Sequence, residues 1–192
     1  QVLTSAGAGQ PCAFEALPAS GSWVLIGTSV ASASASLGQT GLDSTYDTYV
    51  IVLADIIPAT DGVSGYIRVG DSGGYDSGAS DYDFHVSILT DAANTYAGQN
   101  TGGEAQIKVN PNVGSATTEG FSGTFFLGNP ADSTVSPLLY GSYVGITNAG
   151  VTHGGLVLGR RIAAITLDRV QFFFSAGNVT SGRMSVYGIA HT

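Results

Sequence analysis

"YVIVLADII", residues 49–57, is the stretch that decides the fold class. Tyr49, Ile51 and Leu53 fall on one parity, and Val50, Val52, Ala54 and Ile56 on the other. Successive side chains of a strand point to opposite faces, so a short run that is apolar on both parities reads as a strand covered on both sides. "FHVSIL", residues 84–89, alternates instead, with Phe84, Val86 and Ile88 on one face and His85 and Ser87 on the other. Such a strand turns one face to a core and the other away from it.

Runs of the same style recur at 22–30 (SWVLIGTSV), 65–70 (GYIRVG), 120–128 (GFSGTFFLG), 138–147 (LLYGSYVGIT), 161–167 (RIAAITL), 170–175 (VQFFFS) and 183–190 (RMSVYGIA). Between them lie "PATDG", "DSGGYDSGASD", "NPADST", "TNAGVTHGG" and "SAGNVTSG", whose Gly, Asp, Asn and Ser residues favour turns. No segment combines helical period with helical length. This pattern predicts an all-β chain folded as an antiparallel β-sandwich of the jelly-roll kind. A sandwich hides only its inner faces, so doubly apolar strands need a second cover, and a symmetric oligomer supplies one.

Composition narrows the class further. The chain has 192 residues, the length of one domain. Only 10% of residues are charged, against about 25% on average, while 43% are hydrophobic and 28 are glycine. Such a surface is solvated by Ser, Thr, Asn and Gly, and in part buried against other copies. Lys108 is the single lysine, so trypsin-like proteases find few sites, which suits an extracellular protein. The net charge of −8 and the lack of a basic run exclude nucleic acid as a partner and disfavour anionic membrane surfaces. No stretch approaches the roughly 18 apolar residues of a membrane-spanning helix, so no membrane insertion is expected. Cys12, the one cysteine, has no partner for an internal disulfide and reads as a small linker residue.

Candidate sites are few. Asp71, Asp76, Asp81 and Asp83 cluster in "DSGGYDSGASDYD" and have two readings: a structural calcium site, or a solvated loop whose Asp and Gly residues serve turn geometry. Tyr75, Tyr82 and Tyr96 fall in or beside polar loops, where rings can stack on a sugar, so they form a candidate glycan platform. His85 reads as a sheet-surface residue, His153 as part of a turn, and His191 as terminal. No GxSxG turn frames a serine, and catalytic residues are not expected. Asn178 in "NVT" reads as turn chemistry, and Arg160 and Arg161 as residues that balance nearby acids at the start of a strand.

Residues 1–20 read as a flexible stem or linker entering a head domain over 21–192, and the start at Gln1 suggests the C-terminal piece of a longer chain. "QVLTSAGAGQPCAF" (1–14) resembles the segment that closes the slender stem of bacteriophage tail-fibre and related virion proteins, with a pattern near GQVLTSxGAGxxPxF. "SWVLIG" and "GRMSVYGI", with "FFFSAGNVTSG" before the latter, are similar to the first and last strands of the β-rich heads in that family. The resemblance implies a homotrimeric jelly-roll head on the virion surface. It would hold a host-surface glycan or neighbouring virion proteins; separately, the residues themselves give no expectation of enzymatic activity. Two other classes stay open: a free carbohydrate-binding module, and a glycan depolymerase or esterase.

Overall fold

The computed structural model describes residues 2–4, 13–15, 22–90, 95–128 and 130–190. Fifteen strands fill them: β1 (Val2–Thr4), β2 (Ala13–Glu15), β3 (Trp23–Val30), β4 (Leu37–Thr40), β5 (Thr48–Pro58), β6 (Val63–Asp71), β7 (Gly74–Tyr75), β8 (Tyr82–Thr90), β9 (Thr95–Glu104), β10 (Ile107–Val113), β11 (Gly120–Gly128), β12 (Leu138–Ile146), β13 (Thr152–Arg161), β14 (Arg169–Phe174) and β15 (Val179–Ile189). The expected all-β, antiparallel architecture is present, with no helix among the described residues.

An eight-stranded sheet runs in the order β3-β15-β5-β11-β12-β13-β8-β9. A second sheet runs β10-β6-β14-β4, with β7 paired beside β6, and β1 pairs with β2 separately. Between β4 and β15 the chain passes repeatedly from one sheet to the other, except where β8–β9 and β11–β12–β13 form consecutive antiparallel neighbours in the wider sheet and β6–β7 in the narrower one.

One continuous core lies between the sheets. Ile51 and Leu53 of β5, Phe125 of β11, Val157 of β13 and Val86 of β8 enter it from the wide sheet. Ile67 and Val69 of β6, Val170 and Phe172 of β14 and Leu37 of β4 enter it from the narrow one. The layers meet through rings: Phe121 lies 5.5 Å from Phe172 and 6.3 Å from Phe174. A Cβ at Gly141 would run into the Thr124 carbonyl and lie 2.8 Å from the Phe125 ring, so glycine lets that ring fill the middle of the sheet.

The sequence reading misplaced two segments. "RIAAITL" is not a strand beyond Arg161; residues 162–168 form a loop, in which Leu167 is fully buried and Ile165 packs against the core. Its apolar residues plug the core from a loop held by the Leu167 N–H donating to the Pro130 carbonyl at 2.6 Å. Conversely, "THGGLVLGRR", whose first half read as a turn, is β13, and Arg160 and Arg161 end that strand rather than begin one. Its glycines are there for close approach, since a Cβ at Gly155 would strike the Ser87 carbonyl.

Candidate functional site

The acidic loop is organised around arginine. Arg161 donates from Nε to Asp76 Oδ2 at 2.7 Å, and its Nη2 lies 3.3 Å from Asp81 Oδ1. Arg160 meets Asp83 at 2.7 Å. Asp71 stands apart and accepts the Gly73 N–H within its own turn at 2.7 Å. Among the described residues no group of three or more His, Cys, Asp or Glu residues is placed to hold a metal ion. Of the four acids read as a calcium site or a solvated loop, Asp76 and Asp81 are neutralised by a guanidinium, Asp83 pairs with Arg160, and Asp71 serves its own turn. The arginines thus balance acids, as read from the sequence, though from the end of β13.

The three tyrosines part company. Tyr82 has no exposed surface; its hydroxyl donates to the Val69 carbonyl at 3.0 Å and accepts the Val69 N–H at 3.1 Å. Burial pushes its ionisation well above the ordinary phenol range. Tyr82 therefore pins β8 to β6 inside the core and is removed from the glycan platform. Tyr75 is half-buried on the outer side of the narrow sheet, with the Arg169 guanidinium 5.9 Å from its ring centre. Tyr96 sits on β9 opposite Leu89, and its side chain lies outside the described residues, as does His191.

His153 is nearly fully buried, and its Nε2 lies 2.7 Å from Asn110 Oδ1. Its Nδ1 and the Asn110 Nδ2 are buried without a hydrogen-bond partner. Burial pushes the imidazole below its ordinary range, partly opposed by the Pro111 and Val151 carbonyls. The turn expected there is a strand, and the histidine faces inward against Tyr143, 5.6 Å away. Asn178 lies in the connection between β14 and β15, and its side chain makes a long-range bond rather than a local turn bond, donating to the Ala33 carbonyl at 2.7 Å.

The most distinctive surface is one the sequence only hinted at. Across the wide sheet, the residues Leu25, Tyr187, Val50, Phe126, Tyr140 and Leu158 lie in register on the face turned away from the core. Phe126 stacks on Tyr140 with ring centres 5.2 Å apart, and Trp23 meets the edge of Phe126 at 6.5 Å. Ten large apolar side chains are exposed among the described residues, and nine lie on this face; the tenth, Val135, is in a loop. Leu158 is 55% exposed, Leu156 60% and Val144 56%. At roughly 100 Å² for each half-exposed large side chain, this face presents on the order of 900 Å² of apolar surface. Charged and titratable groups on this side include the Arg160–Asp83 pair, Arg183, Asp55, which lines a cavity with Ser122 and Val144, and His85, opposite Leu158. The doubly apolar β5 is explained: Tyr49, Ile51 and Leu53 enter the core, while Val50 is fully buried beneath the outer aromatic layer.

No known family model matches the chain, and no curated protein matches it.

Proposed function

We propose that the chain is the head of a homo-oligomeric virion protein of the bacteriophage fibre type, a structural and attachment component without enzymatic activity. The observation that carries this reading is the apolar outer face of the wide sheet. Its estimated area is close to the roughly 800 Å² per partner of a standard protein interface. Its low charge suits contact with identical copies, which would otherwise set like charges against each other in a chain of net charge −8. Second copies of the chain are the proposed cover, arranged as a homotrimer on the virion surface, and neighbouring virion proteins and host-surface glycans are the further partners.

The strand order supports a jelly roll as the finer description. The narrow sheet reads β4-β14-β6-β10, and the wide one reads β5, then β11 to β13, then β8-β9. That is the interleaved order of two Greek keys, with one strand replaced by a three-stranded meander and with β3 and β15 added at one edge. The stem-like segment at 1–14 supports the fibre assignment. A free carbohydrate-binding module is the second reading, favoured by the polar, ring-bearing side of the narrow sheet, where Tyr66 and Phe173 lie 5.8 Å apart and Arg68 covers Phe173 at 4.6 Å.

Light scattering of the full chain and of Leu158→Lys tests the proposal. The expected result is a mass of three times 19.4 kDa for the parent and a smaller species with an unchanged fold for the variant. A parent that stays at 19.4 kDa at all concentrations would overturn it in favour of the module.

A further inference from the structure

The two sheets differ in width, and the mismatch leaves an opening. On the β8–β9 flank the wide sheet extends past β10, the last strand of the narrow one. By register, Gln99 pairs with Val86 and Thr101 with Phe84, so both point to the core side of β9. Residues in that position are ordinarily apolar, because the opposite sheet covers them. Here Gln99 and Thr101 line a groove of about 350 Å³ with Glu104, Lys108, Tyr66 and Phe84.

The groove is built rather than merely open. Lys108 crosses it from β10, donating to Gln99 Oε1 at 3.0 Å, with its ammonium 6.0 Å from the centre of the Phe84 ring. Thr101 donates to Glu104 Oε1 at 3.0 Å. The β9–β10 turn is held from both sides: Gly103, at a φ of 75°, donates its N–H to Asp83 Oδ1 at 3.1 Å, and Arg68 bonds the Ala105 carbonyl at 3.0 Å and Gln106 Oε1 at 2.7 Å. Such bracing spares a ligand the cost of ordering the loop.

We propose that this groove binds a neutral saccharide. An amide, a hydroxyl, a carboxylate and an ammonium, held in place by their own hydrogen bonds, supply donors and acceptors for sugar hydroxyls, and the Tyr66 ring, packed against Phe173, borders the groove with apolar surface. One positive and one negative side chain cancel, so the groove holds no net charge to select an ionic ligand. The volume is at the lower end of the range for small-molecule sites and suits one or two sugar rings. For its biological use the inference rests on the attachment reading above; its chemistry does not depend on it.

Saturation-transfer NMR on the full chain tests it, using a mixture of the methyl glycosides of glucose, galactose, mannose, rhamnose and N-acetylglucosamine. The expected result is transfer to at least one glycoside, weakened about tenfold or more in Gln99→Ala and in Lys108→Ala, both with unchanged melting temperature. Absence of transfer to every glycoside at millimolar concentration, or transfer that is unaffected in both folded variants, would overturn it. An oligomer that transfers to none of them sinks the groove and leaves the assembly intact; a monomer that binds through these residues does the reverse.

Discussion

At the scale of single residues, His153 links stability to pH. The folded-state value lies below the ordinary 6.5, because burial beside Tyr143 and Asn110 disfavours the charged ring. Between that lowered value and about 6.5 the unfolded chain binds a proton that the folded chain does not, so stability rises with pH through this window and is fully present above it. Urea unfolding at pH 7.5 and pH 5.5 should give a lower midpoint at the acid value, and His153→Gln should remove most of the difference. A midpoint difference that is the same in the variant would show that other groups carry the effect. Residues in the acidic loop show how far local reading reaches. Asp76 and Asp81 were legible as acids in a turn, but their partner Arg161 comes from 80 positions or more along the chain. Tyr82 stood beside a polar loop in the sequence, yet strand parity carries it into the core. The alternation of Phe84, Val86 and Ile88, carried two residues back, would have placed it there.

At the scale of elements, strands with strong apolar alternation were legible almost to the residue, as β11 shows at 120–128. β9 was missed because "TYAGQNTGGE" lies on the overhanging edge of the wide sheet, where neither face needs apolar side chains. β10 was missed because Pro111 interrupts it; an edge strand with shifted register tolerates that proline. "RIAAITL" misled in the opposite direction, since a loop that plugs a core is as apolar as a strand. Glycines in the wide sheet test the packing account. Gly141→Ala would drive its methyl into the Thr124 carbonyl and the Phe125 ring, costing about 1–3 kcal/mol. Gly128→Ala, in the neighbouring strand, meets nothing within 4 Å and should change stability by less than about 0.5 kcal/mol. Denaturant midpoints for the two variants read this directly, and equal shifts would contradict the close approach of β11 and β12.

At the scale of the whole molecule, the two outer faces are unlike. The wide sheet turns aromatic and aliphatic side chains outward; the narrow one turns out Arg68, Gln171, Tyr66 and Phe173. The first arrangement is the one the proposed assembly would cover. The doubly apolar pattern of β5 was legible, but its outer residue Val50 is covered within the chain itself; the extent of the exposed face was not legible, because it is assembled from seven strands whose order the sequence does not state. Trp23, the single tryptophan, is 46% exposed at the edge of this face and reports on its cover. The most direct measurement is therefore Trp23 emission and acrylamide quenching of the full chain over a dilution series. If copies cover the face, emission is blue-shifted and protected at high concentration and moves red, with quenching rising, as the assembly dilutes apart. Red-shifted, freely quenched emission at every concentration would contradict a covered face.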